Sequence, residues 1–282
     1  MILYKYTNAD GKDIVFNSRL KVNDPNKFND PFEFALCVGQ INAVDIKRHV
    51  LKNKQRVRYY YEKGFEKGKI TQSWKEFWKA NSDPSKRDKI AQNVAPRISE
   101  DLKRILNQQD GSVTNYFLLC CFCGASLKYM DEVLMWAHYS DGLRGLRISI
   151  ETDLLVKQPT EIAKVQYLEQ IVLLDTTGFL KGDKNAITAA LESSLSSKSK
   201  AWEYEQEHRW FVDKRICYEV PKTKNWFVPI NLSAVKRIDF GAKCSKETID
   251  EISKRVRDLE LKIELKKAVP DIVDFKLNYI AL

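Results

Sequence analysis

Histidine and methionine are both scarce, with three of each among 282 residues. The histidines, His49, His138 and His208, share no metal-ligand spacing, so no metal centre is expected. No apolar run approaches the roughly 18 residues of a membrane-spanning helix, which argues against a membrane-embedded chain. The opening Met1-Ile2-Leu3-Tyr4-Lys5-Tyr6 has neither a basic lead nor an apolar run, so no signal peptide is expected. Also missing are G-x-x-x-x-G-K-S/T, G-x-G-x-x-G and G-x-S-x-G, the common phosphate cradles and the nucleophile elbow. Cysteine occurs six times, yet Cys120, Cys121 and Cys123 crowd together in a way that suits no paired structural disulfides. Their spacing lacks the two-residue gap of a zinc knuckle, and on a strand Cys121 and Cys123 face one side while Cys120 faces the other. Buried, reduced strand cysteines in a cytoplasmic protein are the expectation.

What is present is a composition with 44% hydrophobic side chains, enough for a sizeable core and too apolar for disorder over most of the length. The net charge is +9, and it is localised. Residues 42–109 hold 17 of the 47 basic and 8 of the 38 acidic side chains, leaving 30 of each sign in the remainder. One segment therefore carries the whole excess.

That segment reads as helical. Ile46, Val50, Val57 and Tyr61 fall on one helical stripe, and Arg48, Lys52 and Arg56 line another face at four-residue spacing. Gly64 and Gly68 punctuate the end of this first helix. A second helix fits Ser73 to Ala80, with Ser73 as cap and Glu76 three residues on. A third runs from about Pro84 to Leu106, with Pro96 expected to kink it. The flanks are strand-rich. Strands are expected over Val113–Phe122, Arg144–Glu151 (half-exposed), Ile162–Leu168, Glu207–Val212, Trp226–Ile230, Val235–Phe240 and near Ile272–Ile280. Helices fit Asp131–Tyr139, Asp183–Ser199 and Ser245–Leu259. Without regular alternation, the expected fold is α+β: a mixed, mostly antiparallel sheet core (1–41 and 110–282) with flanking helices and a basic helical insertion (42–109) packed on it.

Three stretches concentrate chemistry. Asn29-Asp30-Pro31-Phe32-Glu33 reads as a turn with Phe32 anchored in the core, or as one that puts Asp30 or Glu33 at a cleft mouth. Met135-Trp136-Ala137-His138-Tyr139 places Met135, His138 and Tyr139 within one helical turn, with Trp136 pointing elsewhere and Gly142 closing the helix. It suits an aromatic-walled pocket as well as it suits scaffold. In Trp202-Glu203-Tyr204-Glu205-Gln206-Glu207-His208-Arg209, an extended backbone would put Glu203, Glu205 and Glu207 on one face, with Arg209 continuing it. Such carboxylates are solvated, paired to cations, or part of a site.

These stretches together resemble a bacterial family filed as domain of unknown function 2971. The resemblance rests on Leu3-Tyr4-Lys5-Tyr6, Asn29 to Glu33, Cys121-Phe122, Met135 to Tyr139, Gly145 and the Trp202, Tyr204, Glu205, Glu207, Arg209 signature. Cys123 stands where members often carry serine, and residues 42–109 are particular to this chain. The family label implies no activity. A more distant similarity is to the layout of ADP-ribosyltransferases, which use NAD. That resemblance implies that Lys5 and Tyr6 contact NAD, that Trp136 or Tyr139 walls the nicotinamide, and that Glu207 is catalytic with Glu205 beside it. His138 joins this set as a candidate catalytic group.

Three functional expectations follow. The first is an NAD-consuming transferase or glycohydrolase acting on a macromolecule, as a toxin or phage-defence effector would. The second is a nucleic-acid module in which Arg48, Lys52 and Arg56 meet phosphates and Tyr59, Tyr60, Tyr61, Trp74 and Trp78 stack bases, against the plainer reading of a solvated helix surface. The third is a catalytically silent interaction protein.

Overall fold

The computed structural model describes residues 1–28, 30, 32–34, 37–38, 43–107, 117–125, 127–156, 162–181 and 183–282. The chain divides into two compact units. One comprises Met1–Pro31, Gly111–Glu169 and Lys198–Leu282; the other comprises Phe32–Asp110 with Gln170–Ser197.

The first unit is α+β and is built on an eight-stranded sheet. Nine of its strands matter here: β1 (Ile2–Thr7), β2 (Arg19–Val22), β3 (Phe117–Gly124), β4 (Leu146–Glu151), β5 (Ile162–Lys164), β6 (Glu207–Asp213), β7 (Val235–Phe240), β8 (Glu264–Asp271) and β9 (Lys276–Ala281). The sheet order is β9-β8-β7-β4-β1-β3-β6-β5, and every pair with a recorded register is antiparallel except β7 with β8. Residues 113–116 of the expected Val113–Phe122 strand lie outside the described residues. Where one strand was expected near Ile272–Ile280, the chain makes the hairpin β8–β9.

Period-two alternation assigns the two faces. Leu118, Cys120 and Phe122 of β3 join Leu3 of β1 and Trp210 of β6 in the larger core, under Ile14, Val15, Ile252 and Val256 from helices Asp13–Asn17 and Lys246–Asp258. The opposite face carries Tyr6 and Cys123, covered by Met135 and Trp136 of helix Tyr129–Tyr139. Gly145, just before β4, is required by a close approach: a Cβ there would lie 2.1 Å from the Thr7 carbonyl oxygen.

β4 is not half-exposed as expected. Arg147 and Ser149 are buried along with Leu146, Ile148 and Ile150. The Arg147 guanidinium lies 4.6 Å from the Tyr4 ring centre and 4.1 Å from that of Tyr279. Asp239 accepts from it at 2.8 Å and Glu132 accepts as well. A charge so paired and stacked can stay inside, which hydropathy alternation does not register.

The second unit is helical. Ser73 and Glu76 form the expected capping box on helix Trp74–Ser82, and a long helix spans Pro84–Asn107 with Pro96 inside it. The expected single helix through Ile46 and Tyr61 is interrupted: a π-turn segment Ile46–Val50 ends, and Asn53 caps a separate helix Lys54–Glu66. Gly64 lies inside that helix, and Gly68, with φ of 64°, lies beyond it. Its apolar stripe is buried as expected, with Ile46, Val50 and Val57 in one cluster with Ala91, Ala95 and Ile98. Phe32 is not a core anchor; it is 63% exposed. Asn29 and Pro31 of that turn lie outside the described residues, and Asp30 is buried.

Candidate functional site

The sheet of the first unit opens between β1 and β3. β1 pairs with β4 over six positions, from Ile2↔Glu151 to Thr7↔Leu146, but with β3 over only two, Leu3↔Gly124 and Tyr4↔Cys123. Beyond Tyr4 the two strands part. Asn23, at the end of β2, takes up the vacated backbone of β3, exchanging hydrogen bonds of 2.8 and 2.9 Å with Leu119. Lys5 spans the gap, its Nζ donating to the Cys121 carbonyl at 2.8 Å.

A cavity of about 300 Å³ occupies this opening. Tyr4, Lys5 and Tyr6 of β1 line it, as do Cys121, Phe122 and Cys123 of β3. Asn23, Lys27 and Phe28 contribute from the segment after β2, and Met135 and Tyr139 from helix Tyr129–Tyr139. Lys198, Glu205 and Glu207 complete the wall.

The glutamates are not presented by an extended backbone. Lys200–Glu205 is a 3-10 helix, Gln206 turns the chain with φ of 44°, and β6 begins at Glu207. The turn leaves Glu203 exposed and buries Glu205 and Glu207. Arg209 does continue the Glu207 face, and its Nε donates to Glu207 at 2.9 Å. Lys198, from the three-residue strand Ser197–Ser199, donates to Glu205 at 2.8 Å and to Glu207 at 3.2 Å. Two buried cations thus face two buried carboxylates. The Trp202 ring lies 4.9 Å from the Lys198 ammonium, and the Tyr139 hydroxyl donates to Glu205.

Electrostatics follow from this packing. Burial alone would raise the Glu207 carboxyl, but the Arg209 guanidinium, Lys198 and the Cys121 thiol overcome it and hold the group at about 2. Glu207 is therefore ionised near neutral pH. Burial, then the charge of Glu205, pushes the Tyr139 phenol far above its ordinary range. Burial first, then Glu207, raises the Cys121 thiol well above its usual value, and burial with Glu205 takes Cys123 to about 12. Both thiols at the cavity are neutral.

Acid unfolding tests this reading. A carboxyl near 4.5 when unfolded and about 2 when folded contributes its stability above about 4.5 and loses it as pH falls towards 2. The gap corresponds to something on the order of 3 kcal/mol. Denaturant unfolding followed from about pH 7 down to about pH 3 should show a steep acid limb, and Glu207→Gln should flatten it. Equal slopes in the two proteins would contradict the assignment.

Of the residues expected from sequence, Lys5, Tyr6, Tyr139, Glu205 and Glu207 meet in the cavity. Trp136 and His138 do not line it. Trp136 is fully buried, edge-on to Tyr6 at 5.4 Å, and donates to the Tyr279 hydroxyl at 3.1 Å. It is a strut of the smaller core. His138 is exposed, with Nδ1 2.9 Å from the Tyr204 hydroxyl. Lys198 was missed by sequence reasoning, because the expected helix over Asp183–Ser199 absorbed it; that helix ends at Leu195. The available signal was a charge imbalance: Glu205 and Glu207 with Arg209 alone need a further cation, but Lys198 and Lys200 are equally placed to supply it.

In the second unit, the helix break at Leu51–Asn53 takes Arg48, Lys52 and Arg56 off a common helix. The aromatics expected to stack bases largely pack on one another. Tyr61 lies 5.3 Å from Trp74 and 5.2 Å from Phe77, and Trp74 lies 5.6 Å from Trp78. Among the described residues no helix is long and apolar enough to cross a membrane, and no group of three or more His, Cys, Asp or Glu is placed to hold a metal ion.

Residues 135–210 match the model of a family described as a protein of unknown function (DUF2971). The matched span includes Tyr139, Lys198, Glu205, Glu207 and Arg209 and brings no activity with it. No curated protein and no solved structure matches the chain.

Proposed function

We propose that the cavity binds NAD and that the protein consumes it, passing the ADP-ribose part to a macromolecular acceptor or to water. The observation that carries this is the meeting of Lys5, Tyr6, Tyr139, Glu205 and Glu207, drawn from separate stretches of sequence, around one opening in the sheet. Their chemistry fits a dinucleotide. Lys5 and Lys27 supply ammonium groups for a pyrophosphate, Tyr6 and Tyr139 supply aromatic surface for a flat ring, and Glu207 supplies a fixed negative charge. A volume of about 300 Å³ suits the nicotinamide-ribose end.

Bound NAD supplies a ribosyl bond whose electron pair leaves with neutral nicotinamide, while a nucleophile bonds to the ribose carbon and gives its proton to solvent. The protein's part is electrostatic. Glu207, already ionised and held by Arg209 and Lys198, faces a carbon that becomes more positive as the bond stretches, with no reorganisation needed at that moment. Tyr139 and Lys198 orient Glu205 beside it. Trp136 and His138 take no part. A reduced, cytoplasmic setting suits the free thiols at Cys120, Cys121 and Cys123.

The test uses NAD labelled separately in its nicotinamide and adenylate halves. Wild type should release nicotinamide, and Lys5→Ala should weaken NAD binding by roughly tenfold, as loss of a charge-assisted contact does. A wild-type protein that neither binds nor consumes NAD ends this reading.

A further inference from the structure

A second cavity, of about 480 Å³, lies wholly within the helical unit. It is formed by helices Lys54–Glu66, Trp74–Ser82 and Pro84–Asn107 with the turn that follows the first. Its floor is apolar, with half-buried Ile70, Phe77 and Val94 and the ring of Tyr60. Gly64 permits this floor, because a Cβ there would meet Ile70 Cδ1 at 2.5 Å. Its rim is basic. Lys67, Lys69 and Arg97 are exposed and have no acidic partner among the described residues, whereas Lys63 is paired with Glu66 at 3.1 Å. Glu100 is the one acidic residue on the lining.

We infer that this groove binds a single-stranded nucleic acid, with phosphates on Lys67, Lys69 and Arg97 and a base against Tyr60 and Phe77. Two features select this occupant. Three cations that form no ion pair among the described residues, against the single carboxylate of Glu100, attract a polyanion, and the segment around them carries the whole charge excess of the chain. The rim adjoins a half-buried aromatic, so the ligand presents a flat face within reach of its own anion, as an unpaired nucleotide does. A duplex keeps its bases stacked inside and meets only the rim. Arg48, Lys52 and Arg56, which sequence periodicity favoured, are outside this groove.

Fluorescence anisotropy with labelled mixed-sequence RNA and DNA oligonucleotides of about 12 nucleotides tests the inference on the full chain. Lys67→Gln/Lys69→Gln/Arg97→Gln should weaken binding at least tenfold and reduce the salt slope by roughly 2, at about 0.7 per phosphate contact. Arg48→Gln/Lys52→Gln/Arg56→Gln removes the same charge and should change affinity by no more than about twofold. Tyr60→Leu, which keeps an apolar side chain on the floor, should weaken oligonucleotide binding about fivefold and leave inorganic polyphosphate binding unchanged. Equal losses from the two triple variants, no oligonucleotide binding at low salt, or polyphosphate bound as tightly as the oligonucleotide would each overturn it. Both triple variants change only solvent-accessible charges, so they keep the fold.

Discussion

Lys198→Met is expected to cost about 3–5 kcal/mol, the loss typical of removing one partner from a buried ionic group. Lys198 is buried, and its ammonium bridges Glu205 and Glu207. Without it, Glu207 keeps Arg209, but the buried Glu205 loses the ammonium that pairs with it. The unfolding midpoint should drop by roughly 10 °C, since 1 kcal/mol shifts a domain of this size by about 2–4 °C. Restoring neutrality should recover part of the loss. Lys198→Met combined with Glu205→Gln leaves Glu207 paired to Arg209, so the double variant should be more stable than Lys198→Met alone. Lys200 supplies the contrast. Its ion pair with Glu169 is exposed, and Lys200→Met should cost less than about 1 kcal/mol. If thermal unfolding shows equal effects at positions 198 and 200, Lys198 does not hold the carboxylates.

The opposite fates of these two lysines show where sequence reasoning stops. Local physics was legible. β7 spans Val235–Phe240 as expected, and Ser73 with Glu76 caps its helix as the spacing dictates. The faces of β3 were legible too, with Cys120 in one core and Cys123 in the other. Glu205 and Glu207 were legible as clustered carboxylates entering a strand, whereas Lys5 and Tyr6 were named only through the resemblance to the ADP-ribosyltransferase layout. The geometry of the glutamates was not legible. Whether Glu203, Glu205 and Glu207 share a face depends on the left-handed turn at Gln206, a conformation that glutamine rarely advertises. Arg147 was invisible because its two tyrosines and two acids come from four distant segments, and only their convergence makes a buried guanidinium tolerable. Helical spacing pointed Trp136 away from Met135, His138 and Tyr139, and only the resemblance to ADP-ribosyltransferases offered it as a pocket wall. The hydrogen bond to Tyr279, from β9, decides against that wall, and no local pattern contains it.

The largest effect on activity is expected from Glu207→Gln. The substitution preserves size and a hydrogen-bond acceptor, so Arg209 keeps a partner at the same place. What it removes is the charge. In the proposed reaction that charge acts only as the ribosyl bond breaks, so its loss should lower turnover about 10²–10³-fold, as removing one transition-state electrostatic contact does. NAD affinity should change little, since Lys5 and Lys27 are untouched. Stability will fall as well, because the buried cations Lys198 and Arg209 each lose an ionised partner. Unfolding curves recorded beside the assays establish that the variant is folded at the assay temperature, and NAD titration separates binding from turnover. Glu205→Gln is the discriminating companion. It removes the same charge from the same network but leaves the ionised group on β6, so its turnover should remain well above that of Glu207→Gln. A folded Glu207→Gln protein with wild-type turnover would show that the carboxylate serves only its ion pairs. Equal losses in the two variants would assign the effect to the neutrality of the network and not to Glu207.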